Sequence, residues 1–149
     1  MRQEKSTKDA DKEIAEKQAV LQQKYSEYQM LEQQSKSLQE QVQRVAEQIY
    51  EIGFIKNSLK EFTGMKNGSV MLSPLSSGIF VKSKLVENNS FYVNVGSGVV
   101  VKKTVEEAHA LMDKQEKELN SAYETMIESF HKQNAKLQAL ESELAKLTS

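Results

Sequence analysis

Two glycines separated by one residue, Gly96 and Gly98, are the first residues in this sequence that could do chemistry. Glycine-rich loops bind phosphate groups through backbone amides, but a nucleotide-binding loop needs further glycines, or Gly-Lys-Ser/Thr, at the start of a helix. Here the β-type run Val99–Lys102 follows the second glycine. We therefore predict a structural turn between two strands and no nucleotide site.

The histidines do not form a recognisable metal or catalytic site. His109 and His131 lie too far apart on one predicted helix to share a site, and neither belongs to a metal-binding motif. The chain contains no cysteine, which excludes disulfides, thiolate metal sites and a Cys-His nucleophile, and which fits a reducing compartment. The glutamates alternate with lysines at helical spacing, as on a solvated helix face. These residues predict a protein without enzymatic activity, metal or cofactor.

The composition argues against a large globular core. Hydrophobic residues make up 38% of the 149 residues and charged residues 28%, whereas globular domains contain roughly 45–50% apolar residues. The 20 basic and 21 acidic residues are scattered along the chain, so no basic patch predicts nucleic-acid binding. The charged N-terminus lacks the apolar core of a secretory signal, and no apolar run approaches the roughly 18 residues of a membrane helix. We expect a soluble cytoplasmic protein that binds neither nucleic acid nor membranes.

The segment from about Asp9 to Phe62 is predicted to be one long helix. It contains no proline, and apolar residues recur at the a and d positions of a heptad repeat, which is typical of a coiled coil. The a series is Ile14, Leu21, Tyr28, Ser35, Val42, Ile49 and Lys56, and the d series is Lys17, Lys24, Leu31, Leu38, Val45, Ile52 and Leu59. From Leu31 to Leu59 the two series are apolar except at Ser35 and Lys56.

The next segment, residues 69–103, changes to the two-residue period of β-strands. Four short strands are predicted, at Val70–Leu72, Ile79–Val86, Phe91–Val95 and Val99–Lys102. Pro74 cannot donate a ladder hydrogen bond, so the first strand is expected to be bent or to lie at an edge. Two hairpins of this size are too small to be stable alone and too apolar to stay uncovered. They must pack on the helix ends or join strands of other chains in an oligomer, and we favour the oligomer.

The third segment, residues 104–148, is predicted to be a second long helix. Thr104 and Glu107 have the spacing of a capping box, and no glycine or proline follows. Between Ala122 and Phe130 two steps of four follow each other, which predicts a stutter that relaxes the supercoil locally.

The two helices are expected to pair with each other, because neither can bury its apolar stripe alone. The stretches Lys17–Glu61 and Val105–Ser149 are nearly equal in length, as an antiparallel hairpin of helices requires. The predicted fold class is therefore mainly α, with a long antiparallel coiled coil and two β-hairpins at its base. Residues 1–149 are expected to form a single domain.

Lys17 and Lys24 occupy core-type positions near the N-terminus, and two interpretations of them remain open. Lysine stems can reach out of a frayed seam while their charges stay in water. Alternatively, this end is left unsealed so that apolar groups stay available to an unfolded client. Those groups are Ile14, Val20, Leu21, Leu140, Leu144 and Leu147. Leucines at such spacing are more often coiled-coil core than binding surface.

Two stretches of the middle segment carry a family resemblance. Leu72–Leu85 reads LSPLSSGIFVKSKL, and Val93–Ala108 fits Val-x-Val-Gly-x-Gly-x-x-Val-x-Lys-Thr-x-x-x-Ala. With the order of helix, two hairpins and helix, these stretches resemble the α-type prefoldin subunits, including the related eukaryotic subunit. The family often has Val-Pro where this chain has Ser73-Pro74, and Ser76-Ser77 replaces a commoner Gly or Thr. We expect altered loop detail with the same topology.

The resemblance implies a chaperone function. Two α-type subunits would assemble with four β-type subunits through a β-barrel base. The distal ends of the coiled coils would hold unfolded proteins without ATP and pass them to a group II chaperonin. The partners implied are thus prefoldin β-type subunits, unfolded client proteins and the chaperonin.

The same resemblance assigns residues to the two ends of the subunit. The client-binding residues at the distal ends would be Ile14, Val20, Leu21, Tyr25, Leu137, Leu140, Leu144 and Leu147. The oligomerisation base would contain Val70, Leu72, Ile79, Phe80, Val81, Phe91, Val93, Val95, Val99 and Val101. Two other functions remain open, a filament-forming α-like prefoldin and a structural coiled-coil adaptor for one folded partner. An adaptor would show no general affinity for unfolded chains.

Overall fold

A computed structural model describes the backbone of residues 2–149 and the side chains of residues 7–149. Its elements follow in the order α1 (Arg2–Gly64), β1 (Val70–Ser76), β2 (Ile79–Lys84), β3 (Ser90–Gly96), β4 (Val99–Thr104) and α2 (Val105–Thr148). Strand β1 pairs with β2 and β3 with β4, both antiparallel, so the predicted fold class of two long helices and two small hairpins is confirmed. In the described part of the chain, neither helix has a stretch long and apolar enough to cross a membrane.

The chain forms two compact units, and both helices contribute to each. The first unit contains the residues up to Arg44 together with Tyr123–Ser149, and the second contains Val45–Ala122. All four strands belong to the second unit. The first unit is therefore purely helical, whereas the second joins helix and sheet.

The burial of α1 follows the predicted heptad repeat. From Leu21 to Leu59 every member of the two series is buried or half-buried. Ile14 and Lys17 are exposed, as are all the other side chains described before Leu21. Helix α1 has 63 residues and α2 has 44, so the expectation of nearly equal lengths is wrong. We call residues 7–20 the α1 extension, because none of their side chains is buried against α2.

Polar contacts in the first unit show that the helices run antiparallel there. Ser35 Oγ donates a hydrogen bond of 3.0 Å to Asn134 Oδ1, and Lys24 pairs with Glu143. The residue earlier in α1 thus meets the residue later in α2. Ser35 is buried, and a buried polar pair of this kind disfavours slipped alignments, which would leave both groups without a partner.

The buried positions of α2 keep a constant phase. The residues at intervals of seven along this helix are all buried or half-buried, namely Met112, Leu119, Met126, Gln133 and Leu140. The predicted stutter between Ala122 and Phe130 is therefore wrong. Counting apolar residues alone selected Ala122, whereas the half-buried Tyr123 next to it preserves the heptad spacing.

Helix α2 begins with the predicted capping box. The backbone N–H of Thr104 donates to Glu107 Oε2 at 2.9 Å, and the N–H of Glu107 donates to Thr104 Oγ1 at 3.2 Å. Two backbone donors that the helix leaves unpaired are satisfied in this way. Glu106 and Glu107 also place negative charge at the positive end of the helix dipole.

Removing the capping hydroxyl should destabilise the start of α2. A Thr104→Ala variant is expected to lose about 1 kcal/mol of unfolding free energy, because the Glu107 amide loses its acceptor. Thr104→Ser keeps an acceptor and is the matched control. Urea denaturation followed by circular dichroism measures both variants, and equal stability of the two would show that the cap contributes nothing.

The second hairpin has the turn that its glycines predict. Gly96 pairs with Val99 across Ser97 and Gly98, whose φ angles are 51° and 74°. Two successive positive φ angles are typical of the type I′ turns that close hairpins. Gly96–Gly98 is thus a turn between strands.

The first hairpin differs from its prediction at both strands. Strand β1 continues past Leu72 to Ser76, with Pro74 opposite Phe80, and β2 ends at Lys84 instead of Val86. Pro74 is tolerated because both strands of a two-stranded sheet are edges. The pairing becomes irregular between Pro74 and Ser76, as it does between Asn94 and Gly96 before the turn of the second hairpin.

The core of the second unit lies between the helices and the second hairpin. Ile52, Leu59, Ala108 and Met112 are buried together, and half-buried residues that include Phe91 of β3 pack against them. Burial of each large apolar side chain adds roughly 1.5–3 kcal/mol to the free energy of unfolding. In a chain with so few buried groups, this burial is the main favourable contribution to stability.

The loop before β3 holds the second hairpin against the end of α1. Phe62 and Phe91 meet edge to face, with ring centroids 6.3 Å apart and planes at 78°. Asn88 Nδ2 donates to the backbone oxygens of Met65 at 2.8 Å and Thr63 at 3.3 Å. Asn88 therefore satisfies carbonyl groups that the end of α1 leaves unpaired.

Candidate functional site

An open apolar groove crosses the two helices of the first unit. Leu21 and Tyr25 lie one turn apart on α1, so they share one face of that helix. Leu144 and Thr148 are related in the same way on α2. The groove has a volume of about 490 Å³. Its lining residues, which define the terminal groove, are Gln18, Leu21, Gln22, Tyr25, Leu144, Ala145 and Thr148.

The residues assigned to client binding differ in their accessibility. Ile14, Val20, Tyr25 and Leu147 are exposed, and Leu21, Leu137 and Leu144 are half-buried. Leu140 is only 8% exposed. In this conformation it is a packing residue of the helix seam, and little of its surface is open to a client. The terminal groove brings together Leu21, Tyr25 and Leu144 from this set.

The two lysines at core-type heptad positions, Lys17 and Lys24, have different surroundings in the structure. Lys17 lies on the α1 extension and pairs with Glu13 one turn away, at 3.3 Å. Lys24 is half-buried and donates a hydrogen bond to Glu143 of α2. This hydrogen bond raises the pKa of Lys24 and lowers the pKa of Glu143. The helices are thus joined at Lys24, whereas the side chains of the α1 extension are exposed.

The ion pair makes the packing beside the terminal groove depend on pH. Because the pKa of Glu143 is lowered, its contribution to stability is present above the usual glutamate pKa and is lost as pH falls through the lowered value. The raised pKa of Lys24 means that its contribution is lost only as pH rises through that value. We expect acidification to loosen the seam at Leu140 and Leu144.

Methyl NMR signals of Leu140 and Leu144 measure this loosening during an acid titration. In the unaltered chain they should shift as Glu143 is protonated. A Glu143→Gln variant is already neutral at that position and should show no such step. Identical titration curves for the two proteins would contradict the role assigned to the ion pair.

Met30 is an accessible apolar residue that sequence analysis missed. It is 61% exposed and borders a second groove of about 410 Å³, together with Leu31 and Leu140. The signal in the sequence is a methionine at a position outside the two heptad core series. Methionine side chains adapt to differently shaped apolar partners, so Met30 adds to the apolar surface of the first unit.

The hairpins of the second unit expose most of the residues assigned to the oligomerisation base. The exposed members are Val70, Leu72, Ile79, Phe80, Val81, Val95, Val99 and Val101. Phe91 and Val93 are half-buried and pack on the core between the helices instead. Leu75, Tyr92 and Val100 are exposed on the strands and were missed. Alternation along a strand gives two faces but does not say which face the helices cover.

Exposed apolar residues on both hairpins form a surface that a lone chain leaves in water. We call the exposed residues of β1 to β4 the hairpin surface. Large apolar areas exposed on a protein usually mark interaction sites. No group of three or more histidine or acidic residues within the described part of the chain is arranged to hold a metal ion.

Comparison with known proteins agrees with this architecture. The sequence model of the prefoldin family, described as "Prefoldin subunit", matches residues 31–149. Prefoldin subunit alpha of Thermofilum pendens is 28% identical over 118 residues, which are 79% of this chain and 92% of that protein. Prefoldin subunit alpha of Methanobrevibacter smithii is 29% identical over 102 residues, which are 68% of this chain and 69% of that protein.

The fold itself is also found in a solved structure. The cryo-EM structure of filamentous PFD from Methanocaldococcus jannaschii has a TM-score of 0.69 and covers 78% of this chain and 96% of its own. At 21% sequence identity this likeness concerns the fold alone. The family match spans most of the chain, from the heptads of α1 through both hairpins to the end of α2. The chain therefore belongs to the prefoldin family, in which the relatives it resembles are α subunits.

Proposed function

We propose that this chain is an α-type subunit of an ATP-independent holdase, a chaperone that keeps unfolded proteins from aggregating. The observation that carries the proposal is the accessible apolar surface of the first unit. Ile14 and Val20 on the α1 extension and Tyr25 in the terminal groove are exposed. Such residues bind other apolar groups when these become available.

The chemistry of the terminal groove suits clients without a fixed shape. Leucine, tyrosine and alanine provide its apolar contacts, while its polar members carry no charge. Binding in such a groove gains free energy from the burial of apolar area and requires few hydrogen bonds of fixed direction. Several copies of such a weak site in one assembly bind a long unfolded chain more tightly than any single copy.

The hairpin surface supports assembly with other prefoldin subunits. We propose that it joins β-type subunits, with two α-type and four β-type chains in a closed hexamer, and that the whole chain acts as one prefoldin-type domain. The exposed aliphatic residues of the strands give such an interface the apolar area it needs. The proposed site of action is the cytoplasm, with a group II chaperonin as the acceptor of held clients.

Light scattering of a chemically unfolded enzyme diluted into buffer without nucleotide tests the proposal. The arms are this chain alone, a β-type subunit alone, the assembled complex, and the complex with residues 1–20 of this chain removed. This deletion leaves Leu21 and the Lys24–Glu143 pair in place. We expect suppression of aggregation by the complex and weaker suppression after the deletion.

The opposite results are equally informative. A verified hexamer that suppresses aggregation of neither of two unrelated clients would reject the chaperone function and favour a structural adaptor. Unchanged suppression after the deletion would reject the α1 extension as a client-binding segment. Competition between unrelated unfolded clients for the complex would reject an adaptor that recognises one folded partner.

A further inference from the structure

Met30 carries the most exposed sulfur atom among the side chains that the structure describes. The chain has no cysteine and six methionines. Met30 is 61% exposed. The other methionines in the described range are buried or half-buried, namely Met65, Met71, Met112 and Met126. Because a dissolved oxidant must reach the thioether, Met30 should react before these four.

Met30 also lies outside the packing between the two helices. It precedes Leu31, a half-buried seam residue, and belongs to neither heptad series. Met112, in contrast, is buried in the core with Ile52 and Leu59. A sulfoxide at Met112 would place a polar group in that core, whereas one at Met30 would stay in water. Oxidation of Met30 should therefore leave the fold intact.

The position of Met30 links it to the apolar surface of the first unit. The groove of about 410 Å³ that it borders has Leu31, Ala139 and Leu140 as its other apolar residues. Leu31 is half-buried and Leu140 is 8% exposed, while Ala139 is exposed but small. Met30 is therefore the most exposed large apolar side chain of this groove, and its polarity decides how well the groove binds an apolar segment.

Reaction with a hydroperoxide would make this side chain polar. The Met30 sulfur attacks the hydroxyl oxygen of the peroxide, so that a sulfur–oxygen bond forms while the oxygen–oxygen bond breaks. The proton of that hydroxyl passes to the other oxygen, which leaves as water or as an alcohol. The sulfur loses two electrons and the peroxide gains them. Covering the new sulfoxide with an apolar client segment costs free energy, because its oxygen loses hydrogen bonds to water.

We propose that Met30 is a reversible oxidation site at which a hydroperoxide weakens the binding of unfolded clients without unfolding the subunit. This inference rests on the proposed function, because it concerns the regulation of client binding by the first unit. It names the oxidant class. The enzyme class that reverses the step is a methionine sulfoxide reductase. Supplied with a dithiol, this enzyme returns the thioether and releases water and a disulfide.

Peptide mapping by mass spectrometry, after brief exposure of the folded full chain to hydrogen peroxide, tests the site. Met30 is expected to be oxidised about tenfold faster than Met112, and this difference should disappear in urea. Circular dichroism should show the same helix content before and after oxidation of Met30. Equal rates for Met30 and Met112 in the folded chain, or loss of helix when Met30 alone is oxidised, would overturn the proposal.

Light scattering of an unfolded client measures the effect on binding. This chain is treated with peroxide, freed of it, and then assembled with untreated β-type subunits. The concentration needed for half-suppression of aggregation should rise about fivefold, and methionine sulfoxide reductases with a dithiol should reverse the rise. Met30→Leu keeps an apolar side chain without sulfur and should be insensitive to peroxide. Met126→Leu removes a half-buried sulfur instead and should remain sensitive.

A further variant imitates the oxidised state. Met30→Gln places a permanent polar group at this position and should weaken suppression without peroxide, with unchanged helix content. Suppression by Met30→Gln equal to that of the unaltered chain would overturn the proposal, as would equal peroxide sensitivity of Met30→Leu and Met126→Leu.

Failure of this inference can be told apart from failure of the proposed function. An active holdase that keeps its activity after full oxidation of Met30 would overturn the inference and leave the proposed function intact. A verified complex that is inactive before any oxidation would contradict the proposed function and with it the effect on clients. Peptide mapping would still decide whether Met30 is the oxidation site.

Discussion

A Leu59→Ala variant is expected to unfold with a free energy about 2–4 kcal/mol below that of the unaltered chain. Leu59 is 8% exposed and lies in the core of the second unit with Ile52, Ala108 and Met112. Ala108 is too small to fill the space that the leucine would leave, so the variant loses both the burial of the side chain and its contacts across the cavity. Few other buried residues are present to compensate.

Urea unfolding of the full chain, followed by circular dichroism, measures this loss. Ile55→Ala is the matched control, because Ile55 lies one turn before Leu59 on α1 but is 36% exposed. Its replacement should cost less than about 1 kcal/mol. If the two variants were equally stable, the second unit would not depend on the core assigned to it.

The loss at Leu59 should also reach the hairpin surface. Phe91 of β3 packs against the same core and meets Phe62 edge to face. When the core loosens, the second hairpin loses part of its support, and an isolated two-stranded hairpin is marginally stable in water. The proposed assembly through the hairpins would therefore depend on packing between the helices.

The helices could be predicted from the sequence because their signals are local. The heptad positions of α1 from Leu21 to Leu59 coincide with its buried face, and Thr104 and Glu107 form the capping box that their spacing indicates. Both patterns follow from the geometry of one helix. A prediction of this kind does not require knowledge of the packing partner.

The wrong predictions concern residues whose burial depends on a neighbouring segment of the chain. The phase of α2 around Ala122 depends on which residues face α1, and the burial of Tyr123 could not be known from apolar spacing alone. Phe91 and Val93 have the same alternation whether they face the helices or another subunit, and the structure places them against the helices. Their assignment to the oligomerisation base stays a prediction, and at most the half of each side chain that is still exposed could contribute to it.

The client-binding assignment stays a prediction, and the structure adds how accessible each assigned side chain is. The accessibility of a side chain depends on whether the other helix packs on it. Leu140 is 8% exposed, whereas Ile14 is 55% exposed. Heptad spacing alone gives these two residues the same character.

A Tyr25→Ser/Leu147→Ser variant should distinguish client binding from helix packing. Both residues are exposed in the first unit, so their replacement should leave the unfolding free energy within about 1 kcal/mol of the original. A bound client would cover part of each side chain, and the loss of these contacts should raise the chaperone concentration needed for half-suppression of aggregation about tenfold. Light scattering with the assembled complex measures this change.

The matched control removes exposed aromatic surface from the second unit. Tyr50 and Phe54 are exposed on α1 away from the terminal groove, and Tyr50→Ser/Phe54→Ser should leave holdase activity unchanged. Leu140→Ala completes the comparison, because a buried leucine should lower stability by about 2–4 kcal/mol. If Tyr50→Ser/Phe54→Ser weakened suppression as much as Tyr25→Ser/Leu147→Ser, clients would bind apolar surface anywhere on the subunit. An effect confined to Tyr25 and Leu147 would instead locate binding at the part of the first unit that contains the terminal groove.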